Sequence, residues 1–360
     1  MHTSPLVDQH GHGVLHGELG LGTFERQLAA ALGGPAGTGS SYDTTTGLAL
    51  RRWCPPLLGL PPHTTAVRYL ARRRELGAYA ATRALLRGSG IHTYLVDPSI
   101  PGEGEGTGDG ESDAVTDVRE LAAAAGSRAH ELVALTALAA RVADRGGGVR
   151  TFPQDIAQAL HSAARCAVAF VCDAATLRDG APPEPAEVRR AAGRWLACGR
   201  RRTEPALTGH LLWAAFACGL PVQLRCADPR PLIPLLRATA GRAVIVLLPR
   251  RPHHEAAARL AAAFPHVYAD VGPEPAVTLA RAPFGKLLFS TGARGLPELH
   301  VVRVRQYQRA MTRLLGEWIT QGECSRADAR RIADRISGGT ARGVYRLEER
   351  APAQRVPQTG

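Results

Sequence analysis

Short apolar runs rich in Val, Leu and Ile, each bounded by Gly, Pro or charge, recur along the chain with the length of buried β-strands. They fall at residues 6–14, 91–97, 131–135, 166–172, 221–226, 243–248, 267–271 and 287–290. Between the later runs lie stretches with helical apolar spacing at 185–197, 231–240 and 254–264, the last carrying an Ala/Leu stripe. Strand and helix alternating to a total of eight strands is the arithmetic of an α/β fold, a (β/α)8 TIM-like barrel of roughly 250 residues with insertions. The first connection, 15–90, is too long for one helix, and 64–86 is its clearest helical stretch, so a long helical insertion is expected after strand 1. Residues 101–113 are rich in Gly and acid with almost no apolar side chains, which predicts a mobile loop after strand 2. With no internal repeat or linker, 1–348 are expected to form a single barrel domain, and 349–360 a disordered tail.

Composition changes this picture in two places. The formal net charge is +12, and of 44 basic residues only Lys286 is a lysine, so any chemistry needing an amine has one candidate. Such a charge attracts nucleic acid or an anionic surface, but the arginine runs at 72–74, 189–190, 200–202 and 326–335 have no interleaved aromatics. They read as solvated helix faces; nucleic acid is not an expected partner, and a basic anion-binding surface stays as an alternative function. The 7 cysteines include no CxxC pair, which argues against a disulfide framework or a zinc ribbon. Residues 1–5 offer no basic n-region or apolar h-region, and no window approaches the roughly 20 apolar residues of a membrane span. A cytoplasmic protein with no membrane partner is expected.

The first strand ends Val7-Asp8-Gln9-His10-Gly11-His12-Gly13. Residues i and i+2 of a strand share a face, so His10 and His12 can present two imidazoles to one metal at the end of the barrel where such enzymes build their sites. Here the chain resembles the amidohydrolase superfamily. Within it, it is similar to the amidohydrolase-related barrels found as the N-terminal domain of glutamine-synthetase-like fusion proteins. The residues carrying the resemblance are VDQHGHGV at 7–14, RRWCPPLLGL at 51–60, YLARRRELG at 69–77, YLVDPS at 94–99, GLPVQL at 219–224, HVYADV at 266–271, PFGKLLFSTGARGLPEL at 283–299 and ARGVYRL at 341–347.

The resemblance implies hydrolysis of C–N and related bonds, or occasionally decarboxylation, with one or two divalent metals that acidify bound water and polarise a carbonyl. It also implies a ligand set: HxH after strand 1, Lys or Glu after strand 4, His after strands 5 and 6, and Asp after strand 8. This chain keeps His10 and His12 but has Val171, Arg225, Pro249 and Gly292 at the other positions. Two histidines fall short of the three protein ligands of a catalytic zinc site, and a guanidinium, which cannot deprotonate, repels a cation. Lys286 lies at the entrance of strand 8, at the wrong end to replace the strand-4 lysine, and His253 and His254 read as surface or capping residues. Asp97 and Asp270, at strand ends, are expected to be structural.

Asp173 stands two residues beyond Val171. It either completes a rebuilt His10, His12, Asp173 site or pairs with Arg225 across the mouth, and the pair is favoured because it satisfies two charges together. The expected function is therefore a barrel with an eroded metal site, impaired or non-catalytic. It would hold no cofactor, or a single divalent metal such as Zn on His10 and His12. Its partner would be a small anionic ligand bound through Arg225 and Asp173, since a guanidinium forks onto carboxylate or phosphate. The alternative is an active metal-dependent hydrolase with a minimal or rebuilt site.

Overall fold

The computed structural model describes residues 5–31, 39–99, 115–146, 148–175, 177, 180–199 and 204–349. The expected mobile loop at 101–113 lies outside them, as does the expected tail beyond 349. Eight strands follow one another around a single parallel sheet: β1 (Leu6–His12), β2 (Ile91–Asp97), β3 (Arg128–Ala134), β4 (Ala169–Asp173), β5 (Val222–Cys226), β6 (Ile245–Pro249), β7 (Val267–Asp270) and β8 (Leu287–Leu288). The chain after β8 closes the barrel onto β1, where Gln9 N donates to Phe289 O (3.1 Å), Gly292 N to His10 O (2.9 Å) and His12 N to Ala293 O (2.8 Å). This is the expected barrel.

The apolar runs are continuous because the strands are buried on both faces. Val7, Leu95, Leu132, Val171, Val246 and Leu288 meet inside the barrel. Tyr94, Val96, Phe170, Leu224, Ile245 and Leu247 point outward and pack under the helices.

Helices α1 (Leu21–Ala31), α2 (Thr45–Leu57), α3 (Ala66–Leu76) and α4 (Ala78–Ser89) fill the connection between β1 and β2. The single helix expected at 64–86 is broken in two at Gly77, whose φ of +82° only glycine adopts without strain. Then come α5 (Val118–Ala125), α6 (Leu135–Asp144), α7 (Phe152–Ala164), α8 (Pro185–Ala197) and α9 (Pro205–Ala217). The β3 strand lies earlier than expected because Leu135 already opens α6. The remaining helices are α10 (Ile233–Ala238), α11 (His254–Ala263), α12 (Pro275–Leu279), α13 (Pro297–Thr320), α14 (Arg326–Asp334) and, after a π-helical turn at Arg335–Gly339, α15 (Thr340–Tyr345).

Two features position the mouth of the barrel. First, β1 carries a bulge: Asp8 pairs with Tyr94 but Gly11 with Val96, so three steps on β1 match two on β2. The extra residue reverses the facing of the strand. Asp8 and Gly11 both look outward, where a Cβ on Gly11 would lie 3.1 Å from Asp8 Oδ2 and 3.4 Å from the His300 ring. Asp8 is pinned there by Thr291 N (2.8 Å) and Thr291 Oγ1 (2.5 Å). Second, the C-terminal segment closes the opposite end. Arg342 donates to Pro5 O (2.6 Å), and Ala341, Tyr345 and Leu347 join the interior cluster.

The insertion is tied to the barrel by a second core between α1–α4 and the start of α13. At its centre Glu298, fully buried, accepts from Tyr69 Oη (2.8 Å) and pairs with the buried Arg73. Among the described residues no helix is long and apolar enough to cross a membrane.

Candidate functional site at the barrel mouth

The period of two places the site. One step above the interior apolar layer, on the same face, stand Asp97 above Leu95, Asp173 above Val171, Arg225 above Gln223, Asp270 above Tyr268 and Ser290 above Leu288. His12 is the register partner of Asp97, and Asp173 of Arg225.

His10 and His12 do face together, with ring centroids 5.1 Å apart and planes at 86°. His10 Nδ1 lies 2.7 Å from Gln223 Oε1, and His12 Nδ1 lies 3.1 Å from Asp97 O and 3.2 Å from Ser99 O. The orientation of Gln223 is fixed because its Nε2 donates to the carbonyl of Gln9 at 2.8 Å. Among the described residues every partner of the two Nδ1 atoms is thus an oxygen acceptor and Nε2 has none, so each neutral ring carries its proton on Nδ1 and a lone pair on Nε2. The rings are neutral: burial, then the neighbouring His12 and Arg225, hold His10 well below its ordinary pKa. Burial and Arg225 also lower His12, against the opposing pull of Asp97.

A directed chain of hydrogen bonds supports His10 from below. Gln223 Nε2 donates to Tyr345 Oη (2.8 Å), Tyr345 Oη to Gln9 Oε1 (2.8 Å), and Gln9 Nε2 to Asp270 Oδ2 (3.2 Å). Asp270 also accepts from Ser290 Oγ (2.6 Å) and Gly272 N (2.8 Å). Burial raises the Asp270 carboxyl above its ordinary range, although these bonds and His254 oppose it. The His254 ring, expected at the surface, is half-buried against Gly272 near Asp270.

Arg225 is the centre of charge. Its Nε and Nη2 reach Asp173 Oδ1 and Oδ2 at 3.0 and 2.9 Å, and its Nη1 reaches Asp97 Oδ2 at 3.0 Å. Asp97 is held on its other oxygen by Ser99 N (2.9 Å) and Ser99 Oγ. Two carboxylates against one guanidinium leave the cluster with a net negative charge.

The sequence pattern does not single out Gln9, Gln223, Ser99 or Tyr345. Its place two residues before Arg225, on the same strand face, is the signal that could have found Gln223. Nothing local marks Tyr345, which arrives from the far end of the chain.

No family model matches this chain, and no curated protein matches it. Solved structures do. A protein of Lactobacillus casei ATCC 334, provisionally described as a metal-dependent hydrolase, superposes with a TM-score of 0.75 at 19% identity over 96% of each chain. The uronate isomerase of Thermotoga maritima gives 0.61 at 14% identity, over 95% of this chain and 94% of its own. That of Bacillus halodurans C-125 gives 0.61 at 13%, over 97% and 94%. These likenesses run over nearly the whole of the (β/α)8 barrel. The chain shares their fold.

The first of these neighbours is described as metal-dependent, and the residues at this mouth do not fit a metal. Val171 faces the interior with no donor atom, and Pro249 ends β6 without one. Gly292 has φ +56°, a conformation that side chains rarely adopt, and its N–H is spent on closing the barrel. The two carboxylates near the imidazoles are engaged by Arg225. Among the described residues no group of three or more His, Cys, Asp or Glu is placed to hold a metal ion.

Proposed function

We propose that the chain is an amidohydrolase-like barrel whose metal chemistry has been given up, impaired or non-catalytic as a hydrolase, and that it binds a small anionic molecule at the mouth formed by His10, His12, Asp173 and Arg225. One observation supports this most: the guanidinium of Arg225 lies bonded to Asp97 and Asp173 at the mouth that the two imidazoles also line, where a cation would need those same carboxylates. The finer kinship, to the N-terminal domains of glutamine-synthetase-like fusion proteins, rests on the sequence resemblance, whereas a cytoplasmic location without membrane or nucleic-acid partners rests on the scattered cysteines, the hydropathy and the arginine pattern. The test is an NMR titration of the full chain with phosphate, sulfate and small carboxylates, reading the His10 and His12 ring signals. Saturable shifts from an anion that Arg225→Lys weakens support the reading. Rings that respond to no anion, in a folded protein, overturn it.

A second reading is favoured by the poses of the imidazoles. A ring that donates Nδ1–H to oxygen and leaves Nε2 bare is oriented as metal-bound histidines are. In that reading Asp173 leaves Arg225 and joins His10 and His12 in a rebuilt hydrolase site. Stoichiometric bound metal that His10→Ala removes would establish it.

A further inference from the structure

The two carboxylates on Arg225 are not equivalent. Asp97 is fully buried and held on both oxygens, by Arg225 on one and by Ser99 N and Oγ on the other. Asp173 has 53% of its side chain exposed, and both of its carboxylate oxygens point at Arg225, at 3.0 and 2.9 Å, with no second partner among the described residues. The buried carboxylate fixes the guanidinium through Nη1. The exposed one covers the Nε/Nη2 edge, the edge that takes a carboxylate in two parallel bonds.

The two imidazoles line the same mouth, His12 against the backbone of Asp97 and His10 against Gln223, two residues before Arg225, and their Nε2 atoms, without a partner among the described residues, can only accept. A ligand reaching both features must bring an anionic fork partner and, next to it, hydrogen-bond donors. Hydroxyls supply such donors without adding charge to the site. We infer that Asp173 is an internal stand-in for a ligand carboxylate. A hydroxy-carboxylate displaces Asp173 from Arg225 one for one and donates its hydroxyls to His10 and His12. The exchange leaves the charge on the guanidinium balanced, which reconciles an anionic ligand with a cluster that is net negative at rest. Asp173 is thereby a competitor for the site and sets its affinity. This rests on the proposed ligand site at the mouth.

The test uses glycerate, which carries one carboxylate and two neighbouring hydroxyls, against propionate, which has the carboxylate alone, and glycerol, which has no carboxylate. Each is titrated by NMR into the full-length protein and into Asp173→Ala, His10→Ala and Arg225→Lys variants. An exposed ion pair contributes little, so its removal should tighten glycerate by about fivefold. Wild type should prefer glycerate to propionate and ignore glycerol. His10→Ala should shrink the glycerate preference, and Arg225→Lys, which keeps charge but not the fork, should weaken both acids. If wild type binds glycerate and Asp173→Ala binds it equally or more weakly, the stand-in role is wrong while the ligand site survives. If the ring signals of neither wild type nor Asp173→Ala respond to glycerate while other anions bind, the hydroxy-carboxylate assignment is wrong. If no anion binds at all, the ligand site fails with it.

Discussion

Replacing Arg225 by Met removes the one positive charge that pairs with Asp97 among the described residues. Breaking a buried ion pair from one side costs about 3–5 kcal/mol, because the remaining charge stays buried. Asp97 meets that condition, at 0% side-chain exposure, but Arg225 itself is 18% exposed and Ser99 continues to donate to the carboxylate. Asp173, half in water, adds less than about 1 kcal/mol. The expected loss is therefore about 2–3 kcal/mol, below the full range for a dry pair. Equilibrium guanidinium denaturation, followed by tryptophan fluorescence, reads it. Coupling is the sharper readout: in Arg225→Met with Asp97→Asn the stranded charge is gone, so the double variant should lose clearly less than the sum of the single losses. Additive losses, or a single-variant loss below about 0.5 kcal/mol, would refute the electrostatic account of this cluster. The same variant should move the His10 and His12 pKa values upward, since Arg225 lowers both.

Acidification should destabilise the fold from near pH 6.5 downward. The folded His10 and His12 stay neutral where unfolded imidazoles take up protons, so the unfolded state binds more protons and stability falls by up to about 1.4 kcal/mol per pH unit for each ring. His210, His254 and His266 are shifted the same way, so the discriminating result is a shallower slope between pH 6.5 and 5.5 in His10→Gln, read from denaturation midpoints; an unchanged slope contradicts it. Glu298→Gln strands the buried Arg73 and should cost about 3–5 kcal/mol in denaturation, with a loss under about 1 kcal/mol counting against that ion pair. Gln223→Leu removes the acceptor of His10 Nδ1–H, and nitrogen NMR should then show a mixture of His10 tautomers in place of the single Nδ1–H form.

The barrel was legible because most strands carry apolar residues on both faces, and the period of two carried His10, His12, Asp173 and Arg225 to one end. Gly77 shows where local pattern stops: the apolar spacing runs through it, but its positive φ ends one helix and begins another. The bulge in β1 was not legible, since simple alternation would put Asp8 on the side of His10, and only the pairing with β2 reveals the reversal. The polar floor of the site was legible in part. Gln223 follows from its strand position, while Tyr345 and Gln9 meet through contacts spanning most of the chain, which no local spacing encodes. The role of Asp97 was half readable: its strand-end place was plain, but not that it and Asp173 would share a single guanidinium.

The central claim is that Arg225 and its two carboxylates occupy the mouth in place of a metal centre. Elemental analysis of protein grown with added Zn and Mn, and purified without chelator or affinity tag, tests it directly. Metal far below one equivalent per chain, unchanged in His10→Ala, is the predicted result. One tightly held equivalent of a divalent metal, lost in His10→Ala, would contradict it.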